Sequence, residues 1–194
     1  MKSLPSLRVV LTFAAVLTLT AHVVLDAVDV HVEHDKMFDF RPIRTWGWNP
    51  AGAGRVMMAR TKDDDPEAMK QRVDPIVREA VSKEMKVRGL TEASTKPDLT
   101  VTYYLLLTIN TETQTVGQFL PSTVMWGLPP FAPATQSFKV MNRGSLVIDM
   151  NAGDTVVWRG MAQAELAPNS DAKKREARLR EGVRDLLKRY PPKS

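Results

Sequence analysis

From Leu99 to Ile109 apolar residues recur at every second position, and few patterns restrict a chain more. Leu99, Val101, Tyr103, Leu105, Leu107 and Ile109 take one parity, while Thr100, Thr102, Thr108 and Asn110 take the other. A period of two over this length predicts a long β-strand with one buried face. Tyr104 and Leu106 fall on the second parity, so the strand is expected to be central or partly covered on its second face. A shorter alternation, Val28, Val30 and Val32 against Asp29, His31 and Glu33, predicts a half-buried strand. Thr45 to Trp48 reads as another, stopped by Asn49-Pro50. Leu146, Ile148 and Met150 lead into Asn151-Ala152-Gly153-Asp154, and Thr155 to Leu166 returns as the second arm of a hairpin.

Two stretches change to helical spacing. Met69, Val73, Ile76, Val77, Ala80, Val81 and Met85 form one apolar face. Asp65-Pro66 and Asp74-Pro75 each look like a cap followed by a first-turn proline, so a kink or break is expected at Pro75. Gly89 should close this helix as a left-handed cap, with Leu90 folding back. Leu179, Val183, Leu186, Leu187 and Tyr190 mark a second helix from about Asp171, ended by Pro191-Pro192. Ala51 to Asp65, with its glycines and then its acids, reads as a loop. Two one-faced helices and about five half-buried strands are best satisfied by an α+β two-layer sandwich, its antiparallel or mixed sheet carrying both helices on one face. With 194 residues, 43% hydrophobic and no Cys, one such core needs no covalent staple.

The N-terminus carries a compartment signal. Lys2 and Arg8 precede an uncharged run from Val9 to Leu25. That is the layout of a secretory signal peptide, with an uncleaved signal anchor as the alternative. Residues 1–27 are therefore read as an export segment and 28–192 as a single domain placed in the periplasm or at the cell envelope. The formal charge of +5 falls to +3 without Lys2 and Arg8, which gives no argument for nucleic acid.

Five short motifs in a fixed order resemble the DUF4136 family. They are Phe38-Asp39-Phe40 with Thr45-Trp46-Gly47-Trp48, the helix ending in Arg88-Gly89-Leu90, the entry Pro97-Asp98-Leu99-Thr100-Val101, the hairpin from Gly144 through Trp158 to Ala162, and Arg189-Tyr190-Pro191-Pro192. The resemblance implies an exported bacterial domain, frequently a lipoprotein, with no established activity. The usual lipidated Cys has no counterpart here, so the resemblance does not extend to a lipid anchor.

Chemistry-bearing patterns are few. His31, Glu33, His34 and Asp35 include metal-ligating types, but on a strand His31 and Glu33 share a face that His34 does not, and a solvated strand edge is expected. Asp63-Asp64-Asp65 lacks the glycine and distal Glu of a calcium loop and reads as a helix-capping loop. No His follows His34, and G-x-S-x-G and P-loop patterns are absent, so neither an enzyme nor a cofactor or metal site is expected. Trp46, Trp48 and Trp158 read as packing residues.

Two surfaces are left as interaction candidates. Residues 117–144 hold four prolines together with Phe119, Trp126 and Phe131, too apolar for an ordinary loop. The C-terminal helix carries eight Lys/Arg against four Asp/Glu between Asp171 and Arg189, with Arg178, Arg184 and Lys188 among its cations. The expected function is a non-catalytic envelope module that meets another envelope protein or a membrane surface. The alternative is a carrier holding a small apolar ligand between sheet and helices.

Overall fold

The computed structural model describes residues 28–58, 65–107, 114–115, 139–140, 143–165 and 171–192. In chain order the elements are β1 (Asp29–His34), β2 (Thr45–Trp48), β3 (Gly54–Met58), α1 (Pro66–Val87), β4 (Thr91–Glu92), β5 (Leu99–Leu107), β6 (Gln114–Thr115), β7 (Lys139–Val140), β8 (Arg143–Ala152), β9 (Thr155–Glu165) and α2 (Ala172–Leu187). Seven strands form one mixed sheet in the order β1-β9-β8-β5-β2-β4, with β3 also beside β5, while β6 and β7 pair separately. The α+β sandwich with both helices packed into one core is as expected, but the sheet has seven strands rather than about five.

The two additional strands are β3 and β4. Gly54 to Met58 lies inside the stretch read as a loop and instead pairs parallel with Tyr103 to Leu107. β2 pairs with the preceding part of β5, Leu99 to Val101, so β2 and β3 are one strand interrupted at Asn49–Ala53. The interruption is sealed by Asn49 N–H to the Val101 carbonyl (3.0 Å) and Tyr103 N–H to the Ala53 carbonyl (2.8 Å). Gly54 is required there, because a Cβ would overlap the Tyr103 ring.

Helix α1 runs unbroken through Pro75. Only Asp65 acts as its N-cap, accepting from the Glu67 and Ala68 N–H groups at 3.0 and 3.1 Å. An interior proline costs a helix about 3 kcal/mol. Burial of Val73, Val77, Val81 and Met85 offsets that cost, at about 1.5–3 kcal/mol for each such side chain. Asp74 caps nothing: its carboxylate accepts from Tyr103 Oη–H (2.9 Å) and from Arg78 Nε–H (2.7 Å). Gly89, at φ +78°, ends the helix, and Leu90 N–H reaches back to the Met85 carbonyl (3.1 Å).

The helix-side layer is filled by large groups. Trp46, Trp158, Tyr103, Leu99, Ile148 and Met150 of the sheet meet Val77, Val81 and Met85 of α1 and Val183, Leu186 and Leu187 of α2. The three expected packing tryptophans lie in or against this core, Trp46 and Trp48 in edge contact with ring centroids 5.4 Å apart. Gly160 leaves the room that Trp158 and Leu186 occupy.

Candidate functional surface

The sheet's other face is defined by register. Antiparallel and parallel partners share a side, so three rows cross the sheet away from the helices. Glu33, Arg159, Asp149 and Thr102 form one; His31, Met161, Val147, Tyr104 and Arg55 the next; Asp29, Gln163, Ser145, Leu106 and Met57 the third. Tyr104, Leu106, Val147 and Met161 are buried as a second apolar cluster, so β5 is central, as its sequence predicts, and buried on both faces.

Polar groups of the first row satisfy one another. Asp149 is fully buried, and each of its carboxylate oxygens accepts from Arg159, Nε–H and Nη2–H both at 2.6 Å. Burial pushes the Asp149 carboxyl up against the pull of Arg159. Burial opposes the Arg159 charge more than any other single influence, but hydrogen bonding and charge attraction to Asp149, with the nearby Tyr104 and Glu33, together outweigh it, so the guanidinium stays protonated. Asn49 Nδ2–H reaches Thr102 Oγ1 at 3.2 Å, and Gln163 Nε2–H reaches Ser145 Oγ at 3.2 Å. Burial raises the Tyr104 phenol to about 12, with the Asp149 charge adding to the shift. Across this face the buried charges are paired with each other, the Thr102 and Ser145 hydroxyls are hydrogen-bonded, and the Tyr104 phenol is held neutral.

The metal-ligating types are divided as strand geometry requires. His31 and Glu33 share the face away from the helices, Nε2 and Oε1 3.5 Å apart, while His34 is paired with Trp158 on the other. They lie on β1, the edge strand of the sheet as expected, but are half-buried rather than fully solvated. Among the described residues no group of three His, Asp or Glu is placed to hold a metal ion.

Of the sequence-derived interaction residues, Phe119, Trp126 and Phe131 lie outside the described residues. Arg178, Arg184 and Lys188 all lie on or directly after α2. Arg184 donates to Glu181 at 3.0 Å and Lys188 to Asp185 at 2.8 Å. Arg180 bridges to Glu176 and to Glu79 of α1, both at 2.9 Å. The second half of the basic helix is thus largely neutralised. Its first turn carries no acid, and Lys173, Lys174 and Arg175 are exposed there.

A family model described as a domain of unknown function, DUF4136, matches residues 30–192. The chain belongs to the DUF4136 family. A comparison with curated proteins finds no match. Among solved structures, a PDZ domain protein from Parabacteroides distasonis is similar at 14% identity with a TM-score of 0.50, over 85% of this chain and 36% of that one. The chain thus spans little more than a third of that protein. A DUF4136 family protein from Bacteroides thetaiotaomicron is 16% identical with a TM-score of 0.49, covering 86% and 97% of the two chains. The PelC dodecamer from Paraburkholderia phytofirmans gives 7% identity and a TM-score of 0.40, over 83% and 95%.

In this DUF4136 chain the five motifs are fold closures. Asp98 accepts from the Arg44 and Thr45 N–H groups at 2.9 and 2.8 Å, and its own N–H donates to Thr45 Oγ1 at 3.0 Å. These hydrogen bonds hold the Asp98 carboxyl below its usual range and clamp the start of β2 onto β5. Arg88 donates to the Leu187 and Tyr190 carbonyls, and to the Glu84 carbonyl and carboxylate, tying together the ends of α1 and α2. Tyr190 then stacks edge-on with Trp158 and Phe40, both at 5.9 Å, and Phe40 with Phe38 at 4.8 Å.

Proposed function

We propose that this DUF4136 chain is a non-catalytic module of the bacterial cell envelope that works by contact with an envelope protein or a membrane surface. The observation that supports it best is the filled interior. Tyr103, Trp158 and Leu186 occupy the space where even the methyl groups of alanines at positions 54 and 160 would go, which weighs against an apolar ligand carried between sheet and helices. The buried charges are committed to one another, which favours a surface function over chemistry. Export is supported by Lys2, Arg8 and the uncharged run from Val9 to Leu25. The apolar insert with Phe119, Trp126 and Phe131 and the first half of the basic helix, up to Arg178, are the surfaces assigned to contact, since Arg184 and Lys188 are paired with Glu181 and Asp185. In-cell crosslinking followed by recovery from the envelope fraction tests the reading. It predicts a reproducible envelope adduct, and recovery of the chain with cytoplasmic proteins alone would overturn it.

A further inference from the structure

We infer that the first turn of α2, through Lys173 and Lys174, rests on an anionic phospholipid surface. This deepens the envelope reading and depends on it.

The packing of α2 sets where this turn lies. The helix runs back along β9: Gly182 lies against Ala162, and Leu186 against Gly160 and Trp158. At 1.5 Å per residue, Lys173 lies ~13 Å past the level of Gly182 toward the C-terminal end of β9. β1 begins at that same end, because Asp29 is paired with Gln163. Asp29 follows Leu25, the last residue of the uncharged run, by four positions, a reach of at most ~14 Å. The cationic turn and the chain's entry from its most apolar segment therefore share one end of the molecule.

Charge selects the occupant. Among the described residues Lys173 and Lys174 are exposed and make no ion pair, and Asp171 is committed to capping through the Lys174 N–H at 2.7 Å. Glu176 is committed to Arg180. Farther along, Arg184 and Lys188 have Glu181 and Asp185 beside them. The uncompensated charge of Lys173 and Lys174 thus sits at the end of the helix nearest the apolar run. A basic patch beside an apolar segment, where that segment is kept as the signal anchor, is the two-part signature of attachment to anionic lipid.

The test is flotation of the full chain with vesicles of phosphatidylcholine alone and of phosphatidylcholine with phosphatidylglycerol in equal parts. The expected result is an excess on the anionic vesicles that disappears at high salt. It should fall about 25-fold in K173A/K174A, about fivefold for each cation, and persist in R184A/K188A. Both pairs are exposed, and unchanged thermal melting verifies folding. Equal recovery on both vesicles, as an acidic protein partner would give, overturns the inference, as does an undiminished excess in K173A/K174A. Either result, with a crosslinked envelope adduct still recovered, would leave the envelope reading standing.

Discussion

Replacing Arg159 by Met should be among the most damaging single changes in this chain. Asp149 is fully buried and Arg159 supplies the hydrogen bonds to both its oxygens, so the substitution strands a carboxylate in the sheet. Breaking a buried pair in this way costs about 3–5 kcal/mol. For a chain of this size each kcal/mol lowers the melting temperature by ~2–4 °C, so a fall of roughly 6–20 °C is expected. Removing both charges tells the two contributions apart. Asp149→Leu with Arg159→Met leaves no unpaired charge, and apolar replacement of a buried pair is often neutral or stabilising. The double variant should recover most of the loss. The single variant should also regain stability as the pH is lowered from neutral. Without its partner, Asp149 has a folded pKa above the unfolded value, so protonation relieves the cost and the deficit grows as pH rises. Urea unfolding of wild type, both single variants and the double variant across pH measures all of this. A loss below about 1 kcal/mol for Arg159→Met, the range of exposed pairs, would refute the reasoning.

Glycine packing gives a paired prediction. Gly54→Ala should cost about 1–3 kcal/mol, because its methyl group overlaps the fixed Tyr103 ring, whereas Gly182→Ala should gain up to about 1 kcal/mol, since its Cβ would stand an ordinary 3.5 Å from Ala162 and alanine favours helix; thermal melting reads both. All three tyrosines of the chain are shifted up, Tyr104 and Tyr190 to about 12 and Tyr103 further, chiefly by burial. Their contribution to stability is complete below the unfolded value near 10 and is lost as pH rises toward the folded ones, so tyrosinate absorbance at 295 nm should appear only with alkaline unfolding. Asp98, with its lowered pKa, works in the opposite direction: Asp98→Asn should be less stable than wild type at neutral pH, and the two curves should converge as acid protonates the wild-type carboxyl.

The long period-two strand, the hairpin, the α2 stripe and the Gly89 cap are legible in the sequence, because each rests on local periodicity or a single backbone requirement. β3 is not legible: Gly54-Arg55-Val56-Met57-Met58 is short, follows the loop glycine Gly52 and precedes an acidic run. It is a strand because β5 offers an edge and Tyr103 requires a glycine opposite. Asp74-Pro75 resembles a helix start because cap chemistry and tertiary hydrogen bonding use the same carboxylate. Most instructive is the Asp149–Arg159 pair. A regular two-residue hairpin that pairs Ala152 with Thr155 would set Asp149 against Trp158. The register shift at Met150/Asn151 moves the ladder by one residue, which puts the two charges together on one face and Trp158 in the core. Bulges leave little trace in hydrophobic patterning, so this feature needs the structure. The basic helix is legible as composition; which of its cations are neutralised depends on Glu79, about a hundred residues away, and on helix geometry.

Placement of this domain at the envelope is tested by the activity of alkaline phosphatase fused after Asp39. The enzyme matures only outside the reducing cytoplasm. An active fusion is expected, its activity lost when charged residues interrupt the run from Val9 to Leu25. An inactive fusion, with the full-length chain fractionating as a cytoplasmic protein, would contradict it.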